Sequence, residues 1–277
     1  NRPDAIKYED TSAIADGLAD GIVTVSTGGT VYAYAPQYAT LTTVTRAGST
    51  WSTTKATLSG MSVSDDLSIT AVGDKPVIYD ATTNTLVLPG GRTRALDADG
   101  LAPGAVLQMP GPASSSVLLA TPDSLVSVPL NGSAPTVTPA QEGTSISGTP
   151  APPAFHQGCA YGAWSSSGAA LRHCESGLTR YTSVDGLAAA KHPLFRVNRT
   201  RIVLNDVEDG TVWLPERDMI MIDTWDEDNP DESQSSSEDQ NPDLLEQISD
   251  PERDQKNTPP TAVDDEFGVR PGKSTLL

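Results

Sequence analysis

Apolar and polar positions alternate along residues 22–214 in a repeating unit. In each unit an apolar strand, a tight polar turn and a second apolar strand follow one another. In the first unit, Ile22–Val25 and residues 31–34 flank a turn at Gly28-Gly29. Such alternation, bounded by Gly-Gly, Gly-Asp, Pro-Asp or Asp-Gly pairs, is typical of β-hairpins. The five units begin at Ile22, Leu67, Val117, Gly158 and Phe195.

The spacing of these units indicates how the hairpins are arranged. Their starts lie 37 to 50 residues apart, close to the period of about 40–50 residues of a four-stranded propeller blade. We therefore predict an all-β fold, a β-propeller of about five to seven four-stranded blades of the PQQ or WD40 kind, over residues 1–225. A β-sandwich also produces regularly spaced hairpins and is the alternative.

The two ends of the predicted propeller are less regular. The apolar strand 219–222 is expected to pair with an N-terminal strand and close the ring, because closure hides sheet edges. Residues 6–18 show no clear alternation, and a surface strap, a short helix over 13–18 or the remnant of a further blade is expected there. The chain opens on a polar segment, and we expect any targeting or anchoring segment to lie upstream.

Charge separates the body of the chain from its tail. The net charge is −18; residues 1–217 hold 19 acidic and 14 basic residues (−5), and residues 218–277 hold 17 and 4 (−13). The segment 226–256 has too few apolar residues to offset chain entropy and is predicted to be a disordered acidic linker. An anionic molecule repels phosphate backbones, which argues against a nucleic-acid partner.

Cys159 and Cys174 flank one predicted hairpin and would face each other across it. Cross-strand Cβ atoms lie about 4.5–5.5 Å apart, so a disulfide is expected. Free thiols, or a metal site shared with His156 and His173, are the alternatives, although metal ligands are usually spaced more tightly. A disulfide indicates an oxidising compartment outside the cytoplasm.

The sequence gives little support for catalysis. The three histidines are scattered, and no Gly-x-Ser-x-Gly motif is present to supply a nucleophilic serine. We therefore expect a protein that is not an enzyme. Four aromatic residues are candidates for stacking on a ligand, although such rings more often supply core area: Trp51, Tyr161, Trp164 and Trp213.

Residues 257–277 resemble the opening of bacterial Ig-like or cadherin-like repeats. The shared pattern is an Asn/Pro/Pro cluster, an Ala-Val-Asp-Asp segment and a Pro-Gly turn, formed here by Asn257, Pro259, Pro260, Ala262, Asp264, Asp265, Pro271 and Gly272. Junction acids of such repeats bind Ca²⁺, which makes Asp264 and Asp265 candidate ligands. Asp226 and Asp228 supply further hard oxygen ligands. No other cofactor is expected.

The body resembles the propeller-like N-terminal region of large actinobacterial cell-surface proteins that carry tandem Ig-like or fibronectin type III domains. The stretch 158–164 and the segments 203–206 and 210–213 carry this resemblance. It implies a non-catalytic, extracytoplasmic scaffold or adhesion module at the cell surface, monomeric, whose partner is a protein or a cell-wall glycan. Membrane contact would be made only through a segment outside this sequence. The alternative is an extracytoplasmic glycan-acting enzyme or ligand sensor that uses the propeller channel.

Overall fold

The structure, a computed structural model, describes residues 14–18, 20–48, 50–59, 66–143 and 146–222, and this part of the chain is built almost entirely of β-strands. The strands form five antiparallel sheets, and each sheet uses strands that are consecutive in the chain. We call these sheets blades 1 to 5. The linker predicted at 226–256 and the Ig-like start predicted at 257–277 lie outside the described residues.

The strand bounds define the blades. Blade 1 contains β1 (Ile22–Val25), β2 (Val31–Ala35), β3 (Thr40–Ala47) and β4 (Thr50–Thr57). Blade 2 contains β5 (Leu67–Val72), β6 (Lys75–Asp80), β7 (Thr85–Leu88) and β8 (Arg92–Ala95). Blade 3 contains β9 (Val106–Leu107), β10 (Ser116–Ala120), β11 (Ser124–Pro129) and β12 (Thr136–Pro139).

Blade 4 has a first strand in two pieces, β13 (Thr149–Pro150) and β14 (Ala154–His156), which both pair with β15 (Cys159–Ser165). It continues with β16 (Ala169–Cys174) and β17 (Thr179–Ser183). Blade 5 contains β18 (Pro193–Asn198), β19 (Arg201–Asp206), β20 (Val212–Leu214) and β21 (Ile220–Ile222). Short 3-10 helices connect strands at Pro36–Tyr38, Asp97–Asp99, Leu187–Ala189 and Pro215–Arg217.

The first strands of neighbouring blades lie side by side, and the fourth strands lie on the rim. Gly73, after β5, donates its amide to the carbonyl of Gly111 at 2.9 Å, and Gly111 donates to Ala71 at 3.0 Å. Met109 in turn donates to the carbonyl of Pro153 at 3.2 Å, which ties blade 3 to blade 4. On the rim, all eight residues of β4 are exposed.

Apolar side chains fill the space between consecutive blades. Successive side chains of a strand point to opposite faces of a sheet, so a blade with apolar residues at alternate positions on both faces can pack on two neighbours. Buried clusters join blade 1 to 2 (Tyr34, Ile78, Val87), blade 2 to 3 (Leu86, Leu119, Val126), blade 3 to 4 (Leu118, Leu125, Leu171) and blade 4 to 5 (Ala163, Leu204, Trp213). This is a β-propeller arrangement, as predicted, and not the two stacked sheets of a sandwich.

The structure bears on three local expectations, and it confirms one of them, the surface strap before blade 1. β21 is the fourth strand of blade 5 and pairs with β20, and within the described ranges no N-terminal strand pairs with residues 219–222. Residues 14–18 are not helical and form a strap along β4, where Thr53 Oγ1 donates to the carbonyl of Ile14 and Asp16 pairs with Lys55. Blades 3 and 4 begin at Val106 and Thr149, before the predicted starts, because their first strands are short and lie among prolines.

Across the described ranges, no helix combines the length and apolar character that a membrane span needs.

A buried aspartate at the end of β19 fixes the entry into blade 5. Asp206 is fully buried, and its carboxylate accepts hydrogen bonds from the backbone amides of Lys191, His192 and Glu208 at 2.8 to 3.1 Å. Burial by itself raises the pKa of Asp206, but the three backbone donors outweigh it and hold the pKa below its usual value. A charged carboxylate satisfied in this way stabilises the fold.

We expect Asp206→Asn to lower the free energy of unfolding at neutral pH by about 1–3 kcal/mol, because the amide offers one acceptor oxygen and no charge. The pKa of Asp206 in the folded state lies below its value in the unfolded chain, which is about 3.9. The stability that this difference contributes is complete above the unfolded-state pKa. It is lost as the pH falls through the folded-state pKa. The difference between the two proteins in urea titrations should therefore begin to shrink as the pH falls below about 4. The control is Asp209→Asn, at an exposed turn. A difference in unfolding free energy between wild type and Asp206→Asn that does not change with pH would contradict the stabilising role of the Asp206 carboxylate.

Candidate functional site

Two of the four candidate aromatic residues are buried between neighbouring blades and link them. Trp164 on β15 is fully buried, and its indole donates to the carbonyl of Thr121 in blade 3 at 2.7 Å. Trp213 on β20 is likewise buried, and its indole donates to the carbonyl of Asp185 in blade 4 at 3.0 Å. In each pair the ring fills the core between two blades while its N–H satisfies a backbone carbonyl of the preceding blade. Neither ring is available to stack on a ligand.

The other two candidate aromatic residues lie far apart in the fold. Tyr161 packs in the core between blades 4 and 5, its ring 6.2 Å from that of Phe195, and burial raises the pKa of its hydroxyl. Trp51, on the rim strand β4, is 47% exposed, with the Arg46 guanidinium 5.5 Å from its ring centre. The four aromatic side chains therefore do not form one binding surface.

The three histidines are also separated. The His173 ring is 2.7 Å from Thr179 Oγ1, and the His192 ring is 3.1 Å from Glu208. His156 is buried, and its Nε2 lies 3.9 Å from a carboxylate oxygen of Glu216 without a hydrogen bond. Within the described ranges no group of three metal-ligating side chains converges. The candidate Ca²⁺ ligands Asp226, Asp228, Asp264 and Asp265 lie outside those ranges.

The two cysteines meet as the hairpin pattern predicts. Cys159 on β15 is the register partner of Cys174 on β16, and their Sγ atoms are joined in a disulfide. The bond closes the open end of the hairpin, next to the turn that leads from His156 into β15. No metal site with His156 and His173 is formed, because both sulfur atoms are used in the disulfide.

The strongest candidate for a ligand site is a groove between blades 3 and 4, which we call the hydroxyl groove. Its floor is apolar, formed by Leu118, Leu125, Phe155 and Ala160. Hydroxyl groups and two ionisable residues line its walls and mouth: Ser114, Ser115, Ser116, Ser127, Thr136, Thr138, His173 and Glu175.

The strand register explains why the hydroxyls gather on one side. Leu118, Ser127 and Thr136 are cross-strand partners on β10, β11 and β12, so they lie in one row on the face of blade 3 that faces blade 4. Phe155, Ala160 and His173 form the opposing row on blade 4. Inner strands thus supply the apolar floor, and the rim strand β12 supplies hydroxyls.

The size of the hydroxyl groove limits what it can hold. The cavity measures about 150 Å³, roughly the liquid volume of five waters and less than the pocket of a drug-sized ligand. An apolar floor with a few convergent polar groups is the usual character of a ligand site. One neutral, hydroxyl-bearing ring or one polar side chain of a protein partner fits this chemistry.

Other cavities in the described part of the chain are less suitable. A hollow of about 280 Å³ between blades 1 and 2 is lined mostly by apolar groups, among them Leu41, Leu58 and Val87. A shallow polar hollow of about 290 Å³ lies toward the other end of β16, beside Tyr181. A third, beside Arg172, measures only about 10 Å³, enough for one water. Of these four cavities, the hydroxyl groove best combines an apolar floor with converging polar side chains.

No protein-family model matches the chain, and no curated protein matches it significantly. Among solved structures, a catalytically inactive variant of virginiamycin B lyase from Staphylococcus aureus, crystallised with Quinupristin, is 13% identical over 76% of this chain and 71% of its own, with a TM-score of 0.51. A chain of a nidogen/laminin complex is 10% identical over 72% of this chain and 81% of its own, with a TM-score of 0.43. BamB from Moraxella catarrhalis is 11% identical over 69% of this chain and 80% of its own, with a TM-score of 0.28. At 13% identity the likeness to the lyase shows the fold alone, and it supports the β-propeller class.

The two buried indoles generate a stability prediction. Trp164→Phe removes the donor to Thr121 and leaves a small void, so we expect a loss of about 2–3 kcal/mol of unfolding free energy in urea titrations. Trp51→Phe is the matched control on the exposed rim and should stay within about 0.5 kcal/mol of wild type. Equal effects at the two positions would contradict the inter-blade role of Trp164.

The disulfide generates a second prediction. The 15-residue separation corresponds to a stabilisation of about 3 kcal/mol in the chain-entropy model, so reduction should lower the urea midpoint. Thiol titration of the denatured protein should find no free thiol before reduction and two per chain afterwards. Two free thiols in the unreduced, freshly purified protein would remove the main support for an oxidising compartment.

Proposed function

We propose that the chain is a non-catalytic scaffold or adhesion module outside the cytoplasm, and that its propeller presents a binding face at the cell surface. The observation that carries the proposal is the hydroxyl groove, in which Ser127, Thr136 and Thr138 border an apolar floor. Its lining supplies hydrogen bonds and apolar contact, which serve recognition. The disulfide supports the compartment, because such bonds persist where the surroundings are oxidising.

The ligand class follows from the groove and from the charge of the chain. The net charge of −18 disfavours polyanions, and the lining of the groove contains no lysine or arginine to pair with an anion. Hydroxyl walls above the Phe155 ring suit a neutral sugar, which offers hydroxyls at its edge and C–H groups on its face. We therefore propose a neutral cell-wall glycan as the ligand, with a protein surface as the competing partner.

One observation favours a second candidate function, a glycan-acting enzyme or sensor. His156 is buried with an unpartnered Nε2 opposite Glu216, and a histidine beside a carboxylate is a recurring acid–base arrangement. Arg201 lies 3.9 Å from the other carboxylate oxygen. His156 is buried and Glu216 is partly exposed. Because His156 lies on the face of blade 4 opposite to that of Phe155 and the hydroxyl groove, this candidate requires a different point of substrate access.

The test is retention on purified cell-wall sacculi, with bound protein measured over a concentration series. Ser127→Trp should fill the groove and weaken binding by about tenfold or more, which corresponds to roughly 1.4 kcal/mol. Ser52→Trp on the exposed strand β4 is the control and should bind as wild type does. Thermal unfolding of all three proteins checks that the groove variant is folded.

The same samples separate the two candidate functions. The binding module should release no reducing ends from the sacculi. Release that is abolished by His156→Gln would favour the enzyme, and retention unaffected by Ser127→Trp would reject the hydroxyl groove as the binding site.

A further inference from the structure

The turns of the propeller lie at two opposite ends. In each blade the turns after the first and third strands lie at one end, because neighbouring strands are antiparallel. Contacts between blades show that consecutive blades share this end. Ser26 donates to Asp74 of the next blade at 2.6 Å, and Gln157 of blade 4 donates to the carbonyl of Thr200 in blade 5 at 3.1 Å. The bridge that joins blade 2 to blade 3 is parallel, which agrees with this order.

Charged side chains are divided unequally between these two ends. We assign each described charged residue to the end nearest to its turn or its half of a strand. The end with the turns after the first and third strands, which we call the arginine end, holds nine basic and four acidic residues (+5). The opposite end, which we call the aspartate end, holds three basic and twelve acidic residues (−9).

Blades 4 and 5 supply most of the positive charge of the arginine end. Their basic residues there are Arg172, Arg180, Arg196, Arg199, Arg201 and Arg217. Blades 1 and 2 add Arg46, Lys75 and Arg92, and the four acids are Asp74, Glu175, Glu216 and Asp218.

The acids of the aspartate end lie in the turns after second strands and in the segments that precede blades. The turns hold Asp80, Asp123, Asp206, Glu208 and Asp209. The segments before blades hold Asp16, Asp20, Asp66, Asp97, Asp99, Glu142 and Asp185. The basic residues of this end are Lys55, Arg94 and Lys191. Several of the acids have a local structural role, as when Asp80 accepts the amide of Thr82 at 3.0 Å.

The arginines of the β18–β19 hairpin are not used in this way. Arg196 and Arg199 are exposed, and among the described residues neither forms a hydrogen bond or an ion pair. The Arg201 side chain is 76% exposed, and its guanidinium lies 3.9 Å from Glu216. The three side chains are therefore available to an anionic partner.

The hydroxyl groove opens toward the same end of the propeller. Ser114 and Ser115 of its lining lie in the loop after the first strand of blade 3, and Glu175 lies in the turn after the third strand of blade 4. A polymer that places a neutral ring in the groove would therefore run over the end that carries the free arginines.

We propose that the arginine end is a docking surface for an acidic polysaccharide, with Arg196, Arg199 and Arg201 as its main contacts. The choice of a polysaccharide rests on the proposed function, whereas the contact with acid groups rests on the charge of this end. Guanidinium groups pair with such anions through two parallel hydrogen bonds. The aspartate end is repelled by the same polymer, so the propeller is oriented with its arginine end toward it. The net charge of −18 conceals this difference between the ends.

The experiment is retention of the full chain on immobilised polygalacturonate, with dextran as the neutral matrix. Wild type should bind polygalacturonate but not dextran at low salt. It should elute as the salt approaches about 1 M, where charges are screened beyond about 3 Å. Arg196→Glu/Arg199→Glu should bind at least about tenfold more weakly, because two attractive charges become repulsive.

The matched control is Lys55→Glu/Lys191→Glu at the aspartate end, where both lysines are at least half exposed. Each double variant makes the chain more negative by the same amount, so only the position of the change differs. The lysine variant should stay within about twofold of wild type. Thermal unfolding checks that both variants are folded. Equal weakening by the two variants, or no retention of wild type, would overturn the proposal.

Two further arms separate this inference from its alternatives. Binding to vesicles of equal parts phosphatidylcholine and phosphatidylglycerol, without retention on polygalacturonate, would assign the arginine end to a membrane surface and overturn the polysaccharide. On sacculi, loss of retention by Ser127→Trp but not by the arginine variant would overturn this inference and leave the proposed function standing. The reverse result would support the arginine end and count against the hydroxyl groove.

Discussion

The fold depends on one constraint, the burial of apolar side chains on both faces of nearly every sheet. A hairpin with one apolar and one polar face has a single face to bury, whereas a blade inside a propeller has two. Because successive side chains point to opposite faces, the strands of such a blade must carry apolar residues at successive positions. Blade 3 shows this directly: Leu118 and Leu119 are adjacent in sequence, and they enter the cores toward blade 4 and blade 2 respectively. The small side chains of blade 4, such as Ala163 and Ala170, make room for Phe195 and Trp213 of blade 5.

The central strands of the blades could be predicted from sequence because their apolar runs are bounded by turn residues. β5, β6 and β7 follow the predicted pattern closely. The rim strands of blades 1 to 4 could not be predicted, because they face solvent on one side and their composition carries no apolar period. The rim strand β21 of blade 5 is the exception, since its apolar run is visible in the sequence. β4, with the sequence Thr-Trp-Ser-Thr-Thr-Lys-Ala-Thr, is exposed throughout. The two-residue strands β9 and β13 were missed because tertiary contacts, not local propensity, hold them in place.

The site was less accessible to sequence reasoning than the fold. The disulfide followed from hairpin geometry, since two cysteines at the base of one hairpin must meet. Two of the aromatic residues that were predicted as ligand contacts, Trp164 and Trp213, are core residues instead, because their rings fill the space between blades. The hydroxyl groove depends on Ser127 and Thr136 meeting across two strands, while Phe155 and His173 come from the next blade. Only the polar interruption at Ser127 in an otherwise apolar strand hinted at it.

The linear order of the blade contacts has a mechanical consequence. Among the described residues, each inner blade packs on two neighbours through apolar cores, while blade 1 and blade 5 each pack on one neighbour through such a core. Within this set of five blades, local opening therefore costs least at blades 1 and 5. Tension applied through the flanking chain would therefore detach β1–β4 or β18–β21 before it disturbs the middle. The disulfide and the hydroxyl groove both lie in the interior blades, where ligand contact would outlast the loss of an outer sheet.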